Sequence, residues 1–219
     1  MQLTRVAPGY FGAPELDKDM DTDFRWSAAL VSRAPMTRRA AIFSVAILLV
    51  AVTLLLAMGR NPICTCGAID LWVGQRDSAK TSQMLADWYS LSHIVHGLLF
   101  YAILWLVGRR WPVGWRFVAA LLVESAWEVI ENTPFVIDRY RETTAALGYT
   151  GDSVINSLSD IAMMCLGFLL ARKLPVWVSI PLLIVLEIIP LFVIRDNLTL
   201  NIWNLLAPNP AVAAWQARG

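Results

Sequence analysis

The sequence contains little charge and few of the residues that build small secreted scaffolds. Charged residues make up 16% of the 219 residues, against roughly 25% in a soluble domain, while 57% are hydrophobic and the mean hydropathy is +0.55. Three cysteines are too few for a disulfide-rich secreted scaffold, and a net charge of +1 predicts no nucleic acid as a partner. These deficits argue against a water-soluble domain.

The sequence has long apolar runs instead. Five stretches of mostly apolar residues are long enough to cross a bilayer as helices. They comprise residues 40–59, 88–108, 117–133, 153–171 and 174–194. We therefore predict an all-α fold, a polytopic membrane helix bundle with about five transmembrane helices.

Three regions follow one another along the chain. Residues 1–37 mix Gly, Pro and acidic residues without a helical period, which predicts a flexible cytoplasmic tail. Residues 38–199 are predicted to form the five-helix membrane domain. Residues 200–219 are too short and too rich in Asn and Pro to span, so we predict an interfacial segment anchored by Trp203 and Trp215.

Paired basic residues indicate how the bundle is oriented. Arg38-Arg39, Arg109-Arg110 and Arg172-Lys173 each adjoin the end of a span, and alternating spans place all three pairs on one face. Because basic residues accumulate on the cytoplasmic side, this face is predicted to be cytoplasmic, as is the N-terminus. The predicted location is the bacterial inner membrane, with multiple passes.

Ionisable and amide side chains interrupt three of the spans. They are His93 and His96 on span two, Glu124, Glu128 and Glu131 on span three, and Asp152, Asn156 and Asp160 at span four. Spacings of three or four residues place each set on one face of its helix. An ionised group at the helix centre costs about 2.5–3.5 kcal/mol, so we expect the sets to face one another in the outer half of the bilayer.

Such a cluster suits several kinds of chemistry. Imidazoles and carboxylates could bind a divalent metal as cofactor, perform acid–base catalysis without a metal, or relay protons. We assign His93, His96 and Glu131 as metal ligands, Glu124, Glu128, Asp152 and Asp160 as catalytic residues, and Arg139, Arg141 and Asn156 as substrate-binding residues. The two arginines are also candidate counter-ions for the carboxylates.

Two functions from different classes fit this pattern. The first is an enzyme that acts at the outer leaflet on a lipid-linked or amphiphilic substrate, with membrane lipid as its partner. The second is a non-catalytic accessory or assembly subunit of a larger membrane complex, respiratory or photosynthetic, in which the buried polar residues only hold helices together. Ion conduction is not predicted, because the spans are apolar from the cluster down to the basic pairs.

Cys64 and Cys66 lie in the longest predicted loop, just beyond span one. Because a bridge between residues two apart is rare and strained, a structural disulfide is not expected there. A redox role, a metal role and a simple loop role all remain open.

Four sequence strings resemble an uncharacterised family of bacterial inner-membrane proteins of unknown function. They are CTCG from Cys64, DWYSLSHIVHG from Asp87, ESAWEVIEN from Glu124 and GDSVINSLSD from Gly151. The order of His96, Glu128, Arg139, Asp152 and Asn156 is also similar, more distantly, to that in VanZ-like membrane proteins. Neither resemblance implies a particular reaction.

Overall fold

The structure, a computed structural model, describes residues 36–144 and 148–217. These residues form eight helices, and their only β-type pairing is an isolated bridge between Val73 and Asp87. The helices are α1 Arg38–Ala57, α2 Ser90–Val107, α3 Val113–Glu131, α4 Pro134–Thr143, α5 Val154–Lys173, α6 Val176–Val193, α7 Leu198–Leu206 and α8 Pro210–Gln216. The predicted all-α bundle is confirmed.

Four of the described helices, α1, α2, α5 and α6, are long and apolar enough to cross a membrane. They coincide with predicted spans one, two, four and five. The third predicted span also forms a helix, α3, of 19 residues, but Arg116 and its three glutamates make it too polar to qualify by composition. The chain is therefore a helical membrane bundle in which α3 is the polar member.

Several helices begin at residues whose side chains satisfy the free N–H groups of the first turn. Thr37 caps α1, and Ser153 caps α5. Thr133 caps α4 and is followed by Pro134, whose missing N–H costs nothing at that position. Asn197 caps α7 in the same way. These caps fix where each helix enters the bundle.

Helices α2 and α5 touch backbone to backbone. A Cβ atom added at Gly97 would overlap the carbonyl oxygen of Met164, and one added at Gly167 would overlap that of Ile94. Only glycine therefore permits this approach, as is common where membrane helices pack through small residues.

The apolar core lies in the half of the bundle that holds the basic pairs. Leu98 and Tyr101 of α2 pack there with Leu121 of α3 and with Met164 and Phe168 of α5. The rings of Tyr101 and Phe168 meet edge to face with centroids 5.0 Å apart. Because lipid tails are as apolar as these side chains, close van der Waals packing is what stabilises such contacts in a membrane. This packing leaves the other half of the bundle for the polar residues.

The loop between α1 and α2 contains a disulfide between Cys64 and Cys66, so the expectation that these residues do not bridge was wrong. The Gly67 N–H donates to the Cys64 carbonyl oxygen across 3.0 Å and closes a tight turn. This turn holds the two Cα atoms 5.2 Å apart, which is within the usual range for a disulfide.

The two predicted terminal regions differ in how much of them the structure describes. The tail predicted for residues 1–37 lies outside the described residues, except for residues 36 and 37. The C-terminal segment forms α7 and α8, with both Trp203 and Trp215 exposed. Its position at a membrane interface stays a prediction.

We expect Gly97→Ala to destabilise the bundle by about 1–3 kcal/mol, because its methyl group must push α5 away from α2. Gly148→Ala is the matched control, since a Cβ atom at Gly148 meets no atom within 4 Å. Thermal unfolding of both variants in detergent measures the effect. If Gly97→Ala unfolds at the same temperature as the control, the contact at Gly97 does not determine how closely α2 and α5 approach.

Candidate functional site

The structure brings seven of the predicted site residues into one buried cluster. The crossing of α2 and α5 lies within two turns of the polar residues on each helix, and α3 supplies the third side. The members are His93, His96, Glu124, Glu128, Glu131, Asp152 and Asp160. The polar faces of the three helices therefore meet in the structure, as their spacing in the sequence predicted.

Both histidines bind the same carboxylate. The Nδ1 atom of His93 lies 2.6 Å from Glu124 Oε1, and the Nδ1 atom of His96 lies 3.1 Å from Glu124 Oε2. The two imidazole rings meet edge to face, with centroids 5.2 Å apart. Since Nδ1 of His93 is used in this bond, its Nε2 atom points away from Glu124 and toward α5.

His93 stands between three carboxylates. Its Nδ1 atom lies 3.5 Å from Glu128 Oε1, and its Nε2 atom lies 3.8 Å from Asp160 Oδ2. The latter distance is too long for a hydrogen bond. Asp160 is held on its other oxygen by the Ser90 hydroxyl, which donates across 2.7 Å.

Asp152 closes the cluster at the end that faces the loops. The Asn132 amide donates to Asp152 Oδ2 across 2.7 Å and accepts from the Asp152 backbone N–H, while the Tyr149 hydroxyl donates to the same Oδ2 across 3.0 Å. Burial raises the pKa of Asp152 to about 6, although these two hydrogen bonds lower it. The hydroxyl of Tyr140 binds Glu131 in a similar manner.

Among the residues that the structure describes, three groups offer ligand atoms close enough for one metal ion. In each group the ligand atoms lie within 4.8 Å of one another. The groups are His93, His96 and Glu124, then His93, Glu128 and Asp160, and finally Glu128, Glu131 and Asp152. Nitrogen and oxygen ligands of this kind suit Zn²⁺, Mn²⁺ or Fe²⁺.

A cavity of about 330 Å³ opens beside the cluster. Its polar end is lined by both histidines, by Glu124, Glu131, Asp152 and Asp160, and by three tyrosines. Its apolar end is lined by Leu99 and Ile103 of α2, by Val123 of α3 and by Ile202 and Leu205 of α7. Glu128 does not line the cavity but lies behind His93.

Three predicted substrate-binding residues lie elsewhere. The Arg139 guanidinium donates to the Leu205 carbonyl oxygen, and Arg141 is exposed in the last turn of α4. The expectation that these arginines are counter-ions was wrong, because the ion pairs that the structure describes for the cluster all involve a histidine. The Asn156 amide donates to the Met84 carbonyl oxygen and so anchors the loop before α2.

Several residues of the site could not be predicted from the sequence. Asn132 was noted only as the end of a motif, and Tyr140 and Tyr149 were not singled out. Their signal was weak, because a tyrosine near a span end is usually part of an interfacial belt. The contribution of α7 to the cavity wall was not predicted either. The sequence of so short a helix does not indicate which other helix it packs against.

A buried polar network connects α7 and α8 to the loop between α1 and α2. Asp196 accepts hydrogen bonds from the Tyr89 hydroxyl and from the amides of Asn201 and Gln216. Arg76 in the first loop donates to the carbonyl oxygens of Ile194 and Gln216. Burial raises the pKa of Asp196 to about 6, against the lowering effect of its hydrogen bonds.

Comparisons with known proteins find relatives along most of the chain. The family model "Protein of unknown function (DUF2585)" matches residues 55–218. A UPF0314 protein of Paracoccus denitrificans is 51% identical over 187 residues, which are 84% of this chain and 97% of that protein. A UPF0314 protein of Sphingopyxis alaskensis is 46% identical over 185 residues, 84% of this chain and 98% of that protein.

These matches confirm the predicted resemblance to an uncharacterised bacterial family. A third relative, a UPF0314 protein of Agrobacterium fabrum, is 49% identical over 78% of this chain and 86% of its own length. No solved structure matches the chain. The more distant similarity to VanZ-like proteins stays a prediction.

Asp196 should make stability fall as the pH rises from about 4 to about 6. Its pKa is higher in the folded chain than in the unfolded chain, so the folded state keeps a proton that the unfolded state releases in this window. Asp196→Asn cannot titrate. Its stability relative to wild type should therefore grow by up to about 3 kcal/mol between pH 4 and pH 7. Unfolding of both proteins in detergent across this range tests the prediction, and parallel pH profiles would contradict it.

Proposed function

We propose that this chain, which belongs to the DUF2585 family of proteins of unknown function, is a membrane-embedded, metal-dependent enzyme that acts on an amphiphilic lipid. Its proposed location is the bacterial inner membrane. The basic pairs at the opposite helix ends support a site in the outer half of the bilayer. The proposed reaction is hydrolysis of an ester-type bond in the polar part of the lipid.

The observation that carries this proposal is the two-sided cavity. One end contains the histidines and carboxylates, and the other contains Leu99, Ile103, Val123 and Ile202. These four apolar side chains are also partly exposed on the outside of the bundle, where acyl chains would surround it. An amphiphile could therefore enter from the bilayer with its chain against this wall and its polar group at the cluster.

The polar end offers the parts that metal-assisted hydrolysis requires. His93, Glu128 and Asp160 would hold a divalent ion, which lowers the pKa of a bound water and polarises the bond to be cleaved. Glu131 and Asp152 line the same end, and a carboxylate oxygen of either residue that binds no metal would accept the proton of the attacking water. The proton would then pass to the leaving alcohol, so that the products are an acid and an alcohol.

The cavity lining restricts the polar group of the substrate. The described lining residues include no lysine or arginine. A phosphate or carboxylate would therefore meet several carboxylates and no lysine or arginine, while both histidines of the lining are already bound to Glu124. An uncharged ester is the polar group that this lining fits best.

Glu128→Gln should abolish activity without preventing folding, because the amide keeps the size of the side chain but is a poor metal ligand. We expect a loss of about 100-fold or more. In a strain that lacks the gene, mass spectrometry of total lipids should reveal an accumulated amphiphile. Wild type should restore the lipid profile and Glu128→Gln should not.

Glu187→Gln is the matched control for this experiment. Glu187 is a carboxylate on α6 that binds Thr199 and does not line the cavity. This variant should restore the lipid profile as wild type does, at equal amounts of protein in the membrane. Full complementation by Glu128→Gln would refute the proposed enzyme.

Leu99→Trp tests the apolar end of the cavity. The larger side chain should fill the space between α2 and α7 and prevent the lipid chain from entering, while the cluster keeps its ligands. We expect the lipid profile of the deletion strain at an unchanged metal content. A normal lipid profile with Leu99→Trp would show that the substrate does not use this wall.

If the chain is instead an accessory subunit of a larger complex, different results are expected from the same strains. A subunit whose cluster only holds helices together needs neither an open cavity nor a metal. Gentle detergent extraction should then recover the chain in fixed stoichiometry with a respiratory or photosynthetic complex. Leu99→Trp would leave that association intact.

A further inference from the structure

Glu128 belongs to two of the candidate ligand groups, one with His93 and Asp160 and one with Glu131 and Asp152. We infer that Glu128 bridges two divalent metal ions, one in each group. This inference rests on the proposed function and deepens it, because it assigns the number of ions and the ligands of each.

The burial of Glu128 supports a bridging role. The side chain is 1% exposed, and its Oε1 atom has no hydrogen-bond partner among the described residues. A buried carboxylate oxygen without a partner is costly unless a cation binds it. Oε1 faces His93 at 3.5 Å, so the unpartnered atom points into the cluster and not away from it.

The charges of the two groups also match two ions. Glu124 is balanced by hydrogen bonds to both histidines. Four carboxylates then remain in the two groups, Glu128, Glu131, Asp152 and Asp160, and the only ion-pair partner that the structure describes for them is His93. Two divalent cations would supply four positive charges to these four groups.

The positions of the ligand atoms fit this arrangement. The Nε2 atom of His93 and the Oδ2 atom of Asp160 are 3.8 Å apart, too far for a hydrogen bond. Both could nevertheless bind one ion at about 2.0–2.2 Å. Glu124 holds the other ring nitrogen of His93 and is therefore a positioning residue. In known two-metal sites the ions lie about 3.5–4 Å apart, a separation that a single carboxylate can bridge.

The cavity would give both ions an open side. His93 and Asp160 of one group and Glu131 and Asp152 of the other line the polar end of the cavity, whereas Glu128 lies behind them. The ions would therefore sit at the floor of the cavity, bridged from behind by Glu128. Each would keep a coordination position for water or substrate.

The test uses the full chain, purified in detergent, stripped of metal with a chelator and dialysed against Mn²⁺. Bound manganese per protein, measured by mass spectrometry, should be two equivalents for wild type. Asp152→Asn removes a ligand of one ion and Asp160→Asn removes a ligand of the other, so each variant should bind one equivalent. Glu187→Gln should keep both ions. Electron paramagnetic resonance should show a coupled pair of Mn²⁺ ions in wild type and isolated ions in the two aspartate variants.

The outcomes separate this inference from the proposed function. One equivalent in wild type would overturn the second ion and leave a metal-dependent enzyme. Two equivalents in either aspartate variant would also overturn the assignment, since the removed ligand would then not be needed. No bound manganese in wild type would refute both metal proposals. Restoration of the lipid profile by Glu128→Gln would refute the enzyme without affecting a measured stoichiometry of two.

Discussion

The close contact of α2 and α5 at Gly97 and Gly167 is the constraint on which the cluster depends. A side chain at either position would overlap the backbone of the other helix, so the two glycines determine how near the helices come. His93 lies one turn before Gly97, and Asp160 lies about two turns before Gly167. The separation of 3.8 Å between their side chains follows from a backbone contact located deeper in the bundle.

Buried carboxylates at this density require a compensating charge or proton. Burial raises the pKa of Asp152 to about 6 even though an amide and a phenol both donate to it, which shows how strongly this environment opposes an ionised acid. The histidines compensate Glu124 by direct hydrogen bonds. In the proposed enzyme, divalent cations would compensate the acids farther from Glu124 and would also supply chemistry.

The sequence predicts the bundle and most of the cluster because both depend on local periodicity. Apolar runs of about twenty residues predicted the helices, and spacings of three or four residues predicted which faces of α2, α3 and α5 would meet. The contacts of Arg139 and Asn156 were not predictable in this way. Each binds a backbone carbonyl distant in sequence, at Leu205 and Met84, and no local pattern indicates such a partner. The disulfide between Cys64 and Cys66 was also not predictable, because it depends on a tight backbone turn that forms only in the folded loop.

The contact that Arg139 makes in the structure changes how the site is expected to bind the polar group of a substrate. Its guanidinium binds the Leu205 carbonyl oxygen near the end of α7, where carbonyl groups lack partners within the helix. Arg139 thus holds in place a helix that forms the apolar wall of the cavity, and it does not contribute charge to the polar end. With this arginine engaged in the wall, the proposed enzyme would recognise the polar group of its substrate through the histidines, the carboxylates and any ions that they bind. The proposed enzyme would therefore select its substrate by metal coordination and by the fit of an apolar chain, and not by attraction of an anionic head group to an arginine or lysine.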